Sequence, residues 1–295
     1  MHRVIPFVVS LGLLLAPLAW GAEQAPGIQF KPAAHRVGSA MATENVVDMR
    51  LALELLAKDM DAPLSVALSM KSTHGYTATV LAAKGNVIHK VRMAFDDVVE
   101  EVLEKDVPQR KVSPLSGKRF VAELRKGKLT VTDPAGKPVP QDVQDEVKKH
   151  LPELGNPDAM EAAFPAKPLA VGAVLEGFTD ALAQKMVEDP GENNTRITGT
   201  RARLREIRQE PRGAVGVFDV SMTLSREDSG TPIVMTIPMK GEMSVLAQGM
   251  QVLELKLSGP VKVSLTEDAV AHGFQGKGGG EMQLRMGTRA VDTPR

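Results

Sequence analysis

The side chains of this chain that carry reactive chemistry are few and scattered. Six histidines, His2, His35, His74, His89, His150 and His272, stand far apart. None pairs at the spacing that sets two imidazoles on one helix face for zinc, and there is no cysteine to complete a structural zinc site. No Gly-x-Ser-x-Gly elbow and no Ser-x-x-Lys pair supplies an activated serine. Ser116-Gly117-Lys118 lacks the spacing of a phosphate loop and reads as a turn. Gly276-Lys277-Gly278-Gly279-Gly280 is not set between a strand and a helix, so it reads as a hairpin loop rather than a dinucleotide site. The acidic run Asp96–Asp106 has no calcium-loop spacing and reads as a solvated face. Arg201, Arg203 and Arg205 share one parity, with Arg208 beyond them, and are expected to pair with carboxylates across a sheet.

What remains is apolar recognition rather than bond-making. Met222, Met235, Met239, Met243, Met282 and Met286 cluster in the last third, with Leu255 among them. The thioether is flexible and polarisable and suits an adaptable apolar surface. His89 shares parity with Val87, Val91 and Met93 and is expected to face the greasy side, either as a polar anchor for a ligand or as a buried or rim histidine bonded to backbone. These eight are the candidate ligand-binding residues, and a lipid or acyl chain is the candidate ligand. The alternative is a core that uses Met as filler, since the chain has fifteen Met but only one Trp, one Tyr and eight Phe. No catalytic residue, metal ligand or cofactor is assigned, and the expected protein is not an enzyme.

The elements that must position these residues are mostly strands. Val47 to Leu55, Val66 to Met70, Tyr76 to Val80 and Val87 to Phe95 alternate apolar and polar residues at period two, so each is expected to be a half-buried strand. Phe120 to Leu124 and Leu129 to Val131 flank a turn at Lys126-Gly127-Lys128. Phe218 to Leu224, Ile233 to Val245, Leu253 to Leu265 and Met282 to Met286 give the clearest alternation. The middle changes period: Val143, Val147, Leu151 and Leu154 recur at helical spacing from Gln141. Short helices are also expected over Pro157 to Ala163 and Thr179 to Val187. Gly241 and Gly259 are expected to mark bends.

About ten long strands with one greasy face cannot stand open to water. The helical residues are too few to cover them all. The expected fold is mainly β (α+β): a large curved antiparallel sheet or incomplete β-barrel with a few central helices. A single domain over 39–290 is expected. Its alternative is two β halves, 39–140 and 188–290, joined by the helical segment 141–187.

Arg3, the apolar run Val4 to Ala19 and the small residues of Ala19-Trp20-Gly21 are laid out as a secretory signal, with cleavage near Gly21. The run is short for a bilayer span and holds Pro6 and Pro17. Residues 22–38, rich in Ala, Pro and Gly, read as a flexible leader. A periplasmic or secreted protein is expected, not an integral membrane protein. Balanced charge, 36 basic against 36 acidic residues, gives no basic excess to attract nucleic acid.

Ser113-Pro114-Leu115-Ser116-Gly117-Lys118 and Phe164-Pro165-Ala166-Lys167-Pro168-Leu169-Ala170-Val171-Gly172 resemble segments of an uncharacterised family of exported β-rich bacterial proteins of the myxobacterial kind. The architecture resembles LolA-type lipoprotein carriers and the related mycobacterial lipid-binding lipoproteins, whose fold is an unclosed half-barrel over helices. The resemblance implies export and a β-rich fold, and the function expected first is binding of a hydrophobic ligand in the concave face. The alternative function is a structural or interaction module of the cell envelope, with a protein partner and no small ligand.

Overall fold

The computed structural model describes residues 27–56, 61–104, 107–151, 153–186, 194–227 and 231–291. The signal-like run and the first part of the leader lie outside them. Twelve strands make one antiparallel sheet. They are β1 (Ala40–Leu56), β2 (Leu64–Lys84), β3 (Val87–Phe95), β4 (Val99–Glu104), β5 (Val107–Val112) and β6 (Arg119–Arg125) in the first half. With them go β7 (Lys128–Thr132), β8 (Asn194–Glu210), β9 (Gly213–Glu227), β10 (Ile233–Leu246), β11 (Gln251–Leu265) and β12 (Gln275–Val291). The order is β7-β6-β3-β2-β1-β12-β11-β10-β9-β8, and the sheet does not close into a barrel. The expected class, mainly β with an open antiparallel sheet, is what the chain adopts. Contact between the halves is unbroken, because β1 pairs with β12 from Ala40↔Val291 to Leu56↔Gln275.

The edge of β2 is shared. β3 pairs with its second half and β4 with its first, so β3 and β4 run in line along β2. The chain leaves the sheet between them at 96–98 and, on the return, between β5 and β6. Ser113–Lys118 fills this break. Leu115 is fully buried there, and Val98 donates its backbone N–H to Ser116 Oγ. The first of the two recognisable segments is therefore a packing device.

Helices cover the apolar face at its two ends. α1 (Gln141–Lys149) packs Val143 and Val147 on the cluster of Val91, Met93, Phe95, Phe120, Ala122 and Val131 from β3, β6 and β7. Asp142 lies in its first turn and Lys148 and Lys149 in its last, the order that suits the helix dipole. At the other end, α2 (Phe178–Met186) and the 3₁₀ turn Ala159–Ala163 cover β8 to β11 with Phe178, Ala181, Leu182 and Met160. A short helix α3 (Glu267–Ala271), not anticipated, is capped by Thr266, whose Oγ1 accepts from Ala269 N. Among the described residues no helix is long and apolar enough to cross a membrane.

Three expectations change. The described part of the leader is packed: Ile28 and Phe30 are buried, Ile28 exchanges backbone hydrogen bonds with Leu169, and the Phe30 ring lies 4.3 Å from Phe164. Apolar side chains among Ala and Pro found a hydrophobic site that local composition does not reveal. Val66–Met70 and Tyr76–Val80 are one strand, β2, which runs straight through the polar stretch between them. Gly276–Gly280 is not a hairpin loop but the first half of β12. A Cβ at Gly278 would lie 2.9 Å from Leu53 Cδ1, and one at Gly276 2.8 Å from Leu55 Cδ2, so glycine makes room for the flanking side chains.

Glycines also shape the sheet. A Cβ at Gly241 would sit 1.8 Å from the Lys256 carbonyl oxygen, at Gly259 2.0 Å from that of Pro238, and at Gly280 1.8 Å from that of Arg50. Gly241 faces Leu257, Gly259 faces Met282, and Gly280 faces Val261. The three glycines thus step two residues per strand across β10, β11 and β12. They mark a diagonal crease across the sheet, along which neighbouring carbonyls leave no room for a Cβ. Gly241→Val is expected to destabilise the fold by roughly 2–4 kcal/mol. Gly287→Ala, where only the Leu253 carbonyl approaches, at 3.9 Å, should change stability by less than about 0.5 kcal/mol. Urea denaturation of both variants checks the crease.

Candidate functional site

The sheet register arranges the apolar face in rows. Directly opposed residues of an antiparallel pair point to the same side, so each row is a line of neighbouring side chains. One row reads Met222, Met239, Gly259, Met282, Met49, Met70 across β9, β10, β11, β12, β1 and β2. Two rows away run Phe218, Met243, Leu255, Met286, Asn45 and His74. Between them lie Val220, Gly241, Leu257, Leu284, Val47 and Ser72.

Burial changes along these rows. Met222, Met239, Met243 and Leu255 lie under the helices and are 1–4% exposed. Met282 and Met286 pack only at the margin of that cluster and are half-buried. On β12, β1 and β2 the rows therefore make a three-by-three patch, half-buried throughout: Met282, Met49 and Met70; Leu284, Val47 and Ser72; Met286, Asn45 and His74. The patch is a seam between the two helix-covered clusters. On the same three strands, Leu53, Val66 and Gly278 help to line an opening of about 610 Å³. Lys277 and Glu54, which also line it, form an ion pair of 2.9 Å.

One corner of the patch is polar. Ser72 Oγ lies 2.6 Å from His74 Nε2. Asn45 Oδ1 is buried and has no hydrogen-bond partner among the described residues. His150, at the C-terminus of α1, closes over this corner, with its ring 6.1 Å from His74, 5.4 Å from Tyr76 and 5.1 Å from Phe95. Burial, and then the neighbouring His74, hold the His150 imidazole below the usual histidine range. Ser72 and His74 are a serine–histidine pair, but among the described residues no carboxylate bonds the other ring nitrogen to orient it.

The register brings together Met222, Met239, Met243, Leu255, Met282 and Met286. Met235 lies farther along the same face, opposite Val263. His89 is elsewhere. It sits on β3, with β2 and β1 between it and β12. The β2–β3 register shifts around it, so that Ile88 rather than His89 joins Val91 in the apolar cluster. Met49 and Met70 belong to the row although no pattern in the sequence groups them with the later methionines. Only the pairing of β1 with β12 and β2 does that.

The opposite face is charged. Arg205 pairs with Asp219 at 3.0 Å and with Glu242 at 2.5 Å, on β9 and β10. A bulge between Leu204 and Glu206 reverses the parity, which is why Arg205 and Glu206 both face outward and Arg208 joins them to bond Glu206. Arg203 instead donates from Nε to the Gly172 carbonyl. Gly172 to Leu175 exchange backbone hydrogen bonds with Ala202 and Leu204 and cover the free edge of β8. The second recognisable segment, Phe164–Gly172, is thus also structural.

The unfolded chain takes up a proton at His150 near pH 6.5, whereas the folded chain resists it until lower pH. Stability is therefore expected to be highest above that value and to fall as the pH drops from 7 to 5. His150→Gln should flatten that part of the profile, as read from urea midpoints across the range.

No family model matches this chain, and no curated protein matches it. Among solved structures it is similar to the one titled "Lipid-protein interactions in lipovitellin", with a TM-score of 0.35 and 8% identity over 90% of this chain and 26% of that one. This chain thus spans about a quarter of the lipovitellin chain. It is also similar to DynF from the dynemicin biosynthesis pathway of Micromonospora chersina, with a TM-score of 0.24 and 6% identity over 95% of this chain and 92% of that one. Both likenesses are distant, and neither carries an argument about function.

Proposed function

We propose that this chain is an exported, non-enzymatic protein that binds a hydrophobic ligand on the apolar face of its open sheet. The observation that carries the reading is the half-buried patch. The apolar face continues past the helices that cover its two ends, and Met49, Met282, Leu284, Met286 and Val47 stand in the gap. Each forgoes part of the ~1.5–3 kcal/mol that full burial of such a side chain is worth. An apolar occupant would supply it, and thioethers adapt to occupants of different shape. The reading also accords with the resemblance to LolA-type carriers. Export rests on the signal-like residues 1–21. Methionines such as Met222 and Met243, named from the sequence as ligand contacts, would then serve as the packed floor beside the site rather than as its lining.

Native mass spectrometry with organic extraction, on protein purified from an expressing bacterium, is expected to find a stoichiometric extra mass that extracts as lipid. The protein should also take up the hydrocarbon dye diphenylhexatriene. Met49→Asp, which sets a charge in the patch, should weaken uptake at least about tenfold. The outer-face change Arg50→Asp should leave it unaltered. A clean apo mass together with no dye uptake would sink the proposal.

One observation favours a second reading, an envelope interaction module. β5 is exposed along its whole length, and Leu103, Val107 and Val112 on the β4–β5 hairpin are 40%, 58% and 54% exposed. Arg110 and Lys111 beside them would suit an acidic partner. Photo-crosslinking from Val112 in cells should then yield one discrete adduct that Arg110→Glu abolishes, while dye uptake stays normal.

A further inference from the structure

We infer that the ligand of the patch is an amphiphile with an uncharged head that donates a hydrogen bond, and that Asn45 Oδ1 accepts it. The inference rests on the proposed hydrophobic-ligand reading and deepens it.

The argument starts from the unpaired oxygen. Asn45 lies on the apolar face of β1, directly opposite Met286 on one side and His74 on the other. Its Oδ1 is buried without a donor. A buried amide oxygen left unpaired keeps the full penalty of its lost hydration, and buried polar groups are as a rule satisfied. This one sits at the polar corner of the half-buried patch, where the apolar rows begin. The second unpaired buried oxygen, Thr200 Oγ1, belongs to β8, whose Thr200 carbonyl accepts from Thr179 under α2, away from the patch.

The neighbours of Asn45 narrow the class of head group. His74 Nε2 is already engaged with Ser72 Oγ. None of the nine patch residues is an acid, a lysine or an arginine. The charged residues of β1 nearest in sequence, Glu44 and Asp48, have the opposite parity and face the other side of the sheet. The next charges on this side, Glu100 opposite Ser72 and Lys111 opposite Glu100, and the Glu146–Lys149 ion pair on α1, come in pairs of opposite sign, so neither an anionic nor a cationic head finds a net opposite charge to offset its desolvation. A hydroxyl or a neutral amide brings a donor without that cost. The remaining rows, Met49, Val47, Leu284 and Met282, run from this corner along the apolar face and suit a hydrocarbon tail. A few placed polar groups at one end of an apolar site are how small-molecule sites fix orientation.

The test displaces bound diphenylhexatriene from the full chain with 1-dodecanol and with its methyl ether, which differ only in the donor. The alcohol is expected to displace the dye about tenfold better than the ether, and dodecanoate to displace it less well than the alcohol. Asn45→Leu should remove the difference between alcohol and ether while the dye still binds. Met282→Leu, which keeps the apolar area, should preserve the difference. Equal displacement by alcohol and ether from the unaltered protein overturns the inference and leaves the hydrophobic-ligand reading standing. A difference that survives Asn45→Leu overturns the role of Asn45. No dye binding by the unaltered protein overturns the hydrophobic-ligand reading and this inference with it.

Discussion

The shortage of cover for a wide apolar face governs this structure. A twelve-stranded open sheet turns one greasy side inward, and water will not tolerate that side bare. The chain devotes only short helical pieces to it. They do not spread evenly over the sheet. α1 goes to β3, β6 and β7. α2, the 3₁₀ turn and the strap at Ile28–Phe30 go to β8 through β11. Two dense clusters result, with a thinly covered seam at β12, β1 and β2. The fold and the candidate site follow from one balance: enough cover to fold, too little to seal.

Much of the sheet was legible in the sequence because alternation is a local signal. Phe218–Leu224, Ile233–Val245 and Leu253–Leu265 carry their inward and outward sides on their face. What was illegible was non-local. The stretch Lys71–Gly75 breaks the apolar alternation, so it looks like a gap between strands. In fact β2 runs through it and turns Ser72 and His74 inward. The residues that make the polar corner are the ones that hide the strand. His89 misleads for the opposite reason. Its parity is regular in sequence, but an irregularity in pairing with β2 changes which neighbour joins the cluster. No sequence pattern states that Met49 faces Met282, since that is fixed by which strands meet.

The scarcity of aromatic residues takes on a structural meaning here. Among the described residues all but one of the phenylalanine and tyrosine rings, Phe274, stand in the clusters: Phe30, Phe164 and Phe218 stack at one end, and Tyr76, Phe95 and Phe120 at the other. None is left for the rows between, which Met and Leu fill. Rigid rings hold the covers in place, and flexible thioethers line the seam. The two segments that looked distinctive in the sequence serve the same frame, one by plugging the break beside Val98 and the other by sealing the edge of β8.

The pairing of β1 with β12 joins the earliest strand of the sheet to the last. Every other neighbour along the main path is a contact between strands closer in the chain, so this one carries the largest loop-closure entropy. The patch straddles that junction. It is complete only when the final strand has docked, since β12 supplies Met282, Leu284 and Met286. An occupant of the kind proposed would touch both sides of the junction and add its binding free energy to the closure of the sheet. Filling the patch and closing the sheet would then be linked equilibria, each favouring the other.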